Sequence, residues 1–135
     1  KGGFTMKFAW YVIKEKCLNV VYGVRNLIKW LPIIWKDRDW DWTFLMIILS
    51  FKLKNMSELH EKYSVYKDYK KRSHDLKTAS ILADRIADEE YYYDVLNNKD
   101  KHSNVNAFKA KEKLHNRDIK TLFRLMEKEL KNWWD

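Results

Sequence analysis

Three aspartates, Asp37, Asp39 and Asp41, alternate with an arginine and two tryptophans in the stretch WKDRDWDW. Alternating carboxylates can gather round a hard cation that takes oxygen ligands. An EF-hand loop, however, needs a glycine turn and a later bidentate glutamate, and neither follows. Capping of a helix by Asp39 or Asp41, with ion pairs to Lys36 or Arg38, accounts for the same acids more simply. A second acidic group lies in DRIADEE, where Asp84 and Asp88 stand about one helical turn apart. A di-iron site in a bundle would pair such acids with Glu-x-x-His on two helices. Of His60, His74, His102 and His115, only His115 follows a glutamate, Glu112, by three residues. A solvated or inter-helix ion-pairing face is the simpler reading.

Nucleophilic and phosphate-loop chemistry find no footing either. The chain has no G-x-S-x-G, no H-E-x-x-H, no phosphate loop and no dinucleotide fingerprint. Gly23 is the one glycine beyond residue 3, which excludes a glycine-rich phosphate cradle. The expectation is a protein that is not an enzyme, with no catalytic residues, no metal site and no cofactor.

Anion recognition fits the composition better. The formal charge is +8, and only six of the 27 basic residues are arginine: Arg25, Arg38, Arg72, Arg85, Arg117 and Arg124. In a chain so rich in lysine, an arginine is the better candidate for bidentate contact with a phosphate or a base edge. The alternative for each is a structural ion pair. Trp10 and Tyr11, close to Lys7 and Lys14, offer flat faces on which a base could stack; core packing is the alternative for Trp10. The candidate ligand-binding set is Trp10, Tyr11, Arg25, Lys36, Arg38, Arg117 and Arg124.

The positive charge is unevenly spread. Residues 6–35 carry five Lys/Arg against one acid, and residues 97–135 carry ten against six. Residues 36–63 and 64–96 are close to neutral, at five against five and six against seven. If the first and last segments lie side by side, they make a basic wall.

The elements that position these residues read as helices throughout. One proline and three glycines in 135 residues leave few breakers, and the length suits one domain with a real core. KGGFT, ahead of Met6, reads as an expression remnant, leaving 6–135 as a single helical domain. A first helix is predicted from about residue 8 to Leu31, with one face marked by Cys17, Val20, Val21, Val24, Leu27, Ile28 and Leu31. Pro32 is expected to stop it. A second helix follows DWD, apolar nearly all round through Phe51 and then amphipathic through Leu53, Met56, Leu59 and Tyr63. A third runs from about Ser73 with Leu76, Ala79, Leu82, Ala83, Ile86 and Tyr93. After the polar loop NNKDKHSN, a fourth places Phe108, Ile119, Leu122, Phe123, Met126, Leu130 and Trp133 on one side. The fold class is all-α, a small bundle of about four helices.

Cys17, the lone cysteine, reads as a buried inert thiol in a reducing compartment, and no signal peptide is visible. The run TFLMIILSF falls far short of the roughly 20 apolar residues that span a bilayer. Seven tryptophans and eight tyrosines exceed the needs of one small core, and the second helix is apolar on too many sides for a surface helix. Self-association is the expected outlet.

WKDRDWDWTFLMIILSFKLKNM, ILADRIADEEYY and the terminal LFRLMEKELKNWWD resemble a widespread group of small proteins encoded by tailed phages. That group is similar to an anti-CBASS sponge family, whose members bind the cyclic nucleotide signal of a bacterial antiphage system without cleaving it. The resemblance implies a helical homo-oligomer, such as a tetramer, acting in the host cytoplasm on a cyclic dinucleotide such as 3′3′-cGAMP. It carries no individual binding residues over to this chain, so the site above rests on side-chain chemistry. The rival expectations are a basic nucleic-acid-binding phage protein and a structural or protein-binding phage factor.

Overall fold

A computed structural model describes residues 3–38, 40–63, 67–88, 92 and 104–133 of the chain. They form four helices, α1 (Gly3–Ile34), α2 (Trp42–Lys62), α3 (Tyr69–Ala87) and α4 (Asn104–Glu129), with no strand among the described residues. The all-α class holds. The chain divides into two compact units, Lys1–Arg38 and Asp39–Asp135.

The first unit is essentially α1, 32 residues and about 48 Å long at 1.5 Å per residue. It begins inside KGGFT and does not stop at Leu31: Pro32 sits within its last turn. Pro32 has no N–H to offer the Ile28 carbonyl, yet the helix continues past it, and Trp35 N still donates to Leu31 O at 2.9 Å. Closure comes two residues later, where Lys36 N and Asp37 N donate to Ile33 O and Ile34 O in tighter three-residue steps. Cys17 is exposed, not buried, because the apolar stripe that carries it faces outward in the single chain.

In the second unit α3 packs against both α2 and α4. Asp41 starts α2: in extended conformation, it accepts from Thr43 N at 3.0 Å and Thr43 Oγ1 at 2.5 Å. That settles one of the two candidate caps; Asp39 lies outside the described residues. α2 buries Phe44, Met46 and Leu53, while Leu45 stays exposed. Small side chains line the α2–α3 contact: Ser50 and Ser57 on α2, Ser73, Ala79, Ser80 and Ala83 on α3, all buried. The hydroxyls of Ser57, Ser73 and Ser80 are hydrogen-bonded, as buried polar groups generally are. Ser57 Oγ donates to Ser73 O at 2.9 Å, and Ser73 Oγ donates to Glu61 Oε1 at 3.0 Å. α3 begins a turn earlier than Ser73, at Tyr69, which is half-buried and followed by the polar Lys70, Lys71 and Arg72. Tyr93 lies outside the described residues.

Met46, Leu53, Leu76, Leu82, Ile86, Leu122 and Trp133 form the core, with Ile119, Leu125 and Met126 packed against it. The apolar side expected of α4 is therefore split. Leu122 and Trp133 are buried, whereas Phe108, Phe123 and Leu130 are exposed. At 100° per residue Phe123 and Leu130 fall on the flank of the buried row, whereas Phe108 shares its angle and is exposed at the other end of the helix.

Glu129 closes the C-terminal end of α4. It is buried, accepts from Asn132 Nδ2 at 3.0 Å, and faces Lys71 Nζ at 3.5 Å and Lys128 Nζ at 3.8 Å. The Asn132 hydrogen bond, with help from the two lysines and against the effect of burial, holds its carboxyl below the usual range. A depressed carboxylate contributes stability above its unfolded pKa and loses it as pH falls through the folded value. Glu129→Gln should therefore lower the melting temperature at neutral pH, and the gap to the parent protein should close on acidification. A gap that persists unchanged into acid would refute this role.

Candidate functional site

The basic face of α4 brings together two of the seven candidate residues, Arg117 and Arg124. Lys113, Arg117, Lys120 and Arg124 succeed one another at steps of four, three and four, which puts them in one row along about 16 Å of helix. With Asn116 and Thr121 they line an open depression of ≈ 390 Å³. The lining holds four cations, an amide and a hydroxyl, and no acid. Thr121 Oγ1 donates back to Arg117 O at 2.8 Å, and Arg117 keeps its side chain 64 % exposed.

What aims this row outward is a buried ion pair on the opposite side of the helix. Asp118, 2 % exposed, takes a short charge-assisted hydrogen bond from Arg85 Nη2 on α3. Tyr92 Oη donates to the same carboxylate at 3.3 Å. Arg117 approaches the other oxygen, with Nε and Nη2 both at 3.4 Å. Pinning residue 118 inward fixes the rotation of α4, so residues 113, 117, 120 and 124 must face out. Arg85 is thus a structural ion-pair residue, the alternative the sequence left open for each arginine, and Arg117 shares the same carboxylate at 3.4 Å while keeping most of its side chain exposed.

A second, smaller cavity of ≈ 190 Å³ lies among Trp42, Tyr92, Phe108, Lys111, Glu112 and His115. The His115 ring meets Trp42 and Tyr92 edge-on, with centroids at 5.8 Å and 5.3 Å. Residues 108, 111, 112 and 115 lie roughly half a turn round α4 from the basic row. One small ligand cannot occupy both places. The aromatic side chain that does border the basic row is Phe123, three residues after Lys120 and half exposed.

Between α2 and α3 a polar groove of ≈ 350 Å³ sets Lys54 and Lys77 among Glu58, Glu61 and Asp84. The charges there are mixed, as expected of an ion-pairing face, and give an anion no net attraction.

Of the candidate residues, Arg117 and Arg124 share the depression. Trp10, Tyr11, Arg25, Lys36 and Arg38 all belong to the first unit and are all exposed. Trp10, at 70 % exposure, is not a core residue in the single chain. Arg38 Nη1 donates to Asp37 O at 2.8 Å. Sequence reasoning missed Lys113, Lys120, Asn116 and Thr121, although the four-three-four spacing in KLHNRDIKTLFR was visible. It also placed Phe123 with the core.

Comparison of the chain with models of protein families, with curated proteins and with solved structures finds no match. No helix among the described residues is long and apolar enough to cross a membrane.

Proposed function

We propose that the protein binds a cyclic oligonucleotide, such as a cyclic dinucleotide, and holds it intact, with the basic row of α4 taking the phosphates. The observation that carries this reading is the acid-free lining of Lys113, Arg117, Lys120 and Arg124 beside Asn116 and Thr121. Two arginines can form paired hydrogen bonds to phosphate oxygens, the lysines add charge, and Phe123 offers a face for a base. The lining holds no carboxylate, imidazole or thiol to act as a general base, which favours retention over turnover. In the phage setting that the sequence resembles, a homo-oligomer of this kind would keep the defence effector without its signal.

Isothermal titration against a panel of cyclic di- and trinucleotides tests this, with the ligand recovered and checked for integrity afterwards. Submicromolar binding is expected. Arg117→Ala and Arg124→Ala should each weaken it by about tenfold or more, since hydrogen bonds to charged groups contribute about 1.5–3 kcal/mol. No saturable binding across the panel rejects the proposal, and a cleaved ligand rejects retention.

The straight row of cations also favours a second reading, a nucleic-acid strand tracked along its backbone. Four phosphate contacts would then give a log–log salt slope of about −3 for a single strand. A gel shift with generic DNA and RNA across a salt series separates the two readings.

A further inference from the structure

We propose that α1 is an association helix, and that the partner covering its apolar face is α1 of further copies of this chain. From Trp10 to Ile34 the apolar positions recur at steps of three and four in strict alternation. In heptad terms Trp10, Cys17, Val24 and Leu31 occupy one seam position, and Ile13, Val20, Leu27 and Ile34 the other. A strict 3.5-residue period, unlike the 3.6 of a straight surface helix, winds helices round one another in a left-handed supercoil. In the single chain the seven other than Cys17 are 49–70 % exposed, and Cys17 is exposed too. The back of the helix is mixed: Glu15, Asn19, Asn26 and Lys29 alternate there with Tyr11, Leu18 and Tyr22, which are exposed as well.

The occupant follows from three features. A heptad seam is complementary to another seam of the same period, and every copy of the chain supplies one. The exposed seam, with Val21, Ile28 and Trp35 beside it, offers on the order of 1,000 Å² per chain. A stable interface needs about 800 Å² per partner. A lipid surface, by contrast, calls for a polar face dominated by Lys and Arg, which the back of α1 is not. Leu31 with Ile34 is a seam pair of more than two strands and Val24 with Leu27 one of two; the apolar flank of Val21, Ile28 and Trp35 widens the contact beyond a two-stranded seam and tips the balance to more than two. The association involves residues 10–35 and stands apart from the ligand reading of α4, so either can fail without the other.

Light scattering and sedimentation equilibrium of the full chain at micromolar concentration should give a mass of more than two chains. Val20→Glu combined with Leu27→Glu should return it to a monomer. The denaturation midpoint of the second unit, none of whose core residues is changed, confirms that this variant remains folded. Cys17 supplies an independent readout. In the assembly its thiol should react with a maleimide about tenfold or more slowly than in the double variant, as expected of a group reached only by local opening. A parent protein that is monomeric throughout the micromolar range, a variant of unchanged mass, or equal Cys17 rates in the two proteins would each overturn the inference. A monomer that co-sediments with phosphatidylglycerol-containing vesicles would overturn it in favour of a lipid surface.

Discussion

Trp133→Ala should destabilise the second unit by about 3–5 kcal/mol, the range for truncating a large aromatic in a packed core. Trp133 is 1 % exposed and packs with Leu122, Ile86 and Leu76 in one cluster. Its backbone carbonyl also bonds His60 Nε2 at 3.1 Å, tying the end of α2 to the turn after α4. Against a typical total stability of about 5–15 kcal/mol, such a loss leaves the unit marginal. Urea denaturation followed by circular dichroism gives the measurement, and Trp133→Phe should fall between the two. A midpoint shift worth less than about 1 kcal/mol would show that this indole is not a core element.

The second large effect is expected at Asp118. Asp118→Asn keeps the shape of the side chain but removes the charge that Arg85 faces in the α3–α4 contact. Breaking a buried pair by removing one partner costs about 3–5 kcal/mol. The lower end applies, since the Arg85 side chain keeps 28 % of its exposure. Replacing the pair together, as Arg85→Met with Asp118→Leu, should recover most of the loss, because two apolar groups leave no stranded charge. The parent, Arg85→Met, Asp118→Leu and the double variant form a double-mutant cycle whose coupling energy reads the interaction directly. Additive losses would refute the pairing.

Much of the fold was legible in the sequence, because helices announce themselves through period and breakers. The apolar run after DWD and the inward residues of α3 followed from spacing, and residue type narrowed the cap of α2 to Asp39 or Asp41. Two errors share one physical origin. Phe123 was assigned to the core, and the stripe of α1 was taken to hide Cys17, because an apolar row was equated with a buried one. Periodicity tells which residues share a face. Burial depends on what, if anything, covers that face in three dimensions. Pro32 misled for a different reason: a proline costs a helix one hydrogen bond and a local clash, which disfavours continuation but does not forbid the two further residues that α1 adds here.

The candidate site was half legible. Arg117 and Arg124 stood out by residue type, but the lysines between them did not, since a lysine in a lysine-rich chain carries little information. Asp118 escaped notice altogether. Its role depends on Arg85, 33 positions away in sequence, and no local pattern shows such a pairing. The rotational setting of α4 therefore became clear only from the folded chain.

The place of Trp133 in the core bears on how the protein is made. The cluster it completes begins at Met46 on α2, so the hydrophobic centre of the second unit is assembled from the two extremes of that unit. During synthesis α2 and α3 leave the ribosome first, with Leu53, Leu76 and Ile86 still lacking the indole that covers them. Contacts between distant parts of a chain form late and carry the entropy of closing the intervening loop. Vectorial folding of this unit is then held open until residue 133 has emerged, and its nascent helices spend that interval with a greasy surface that chaperones recognise.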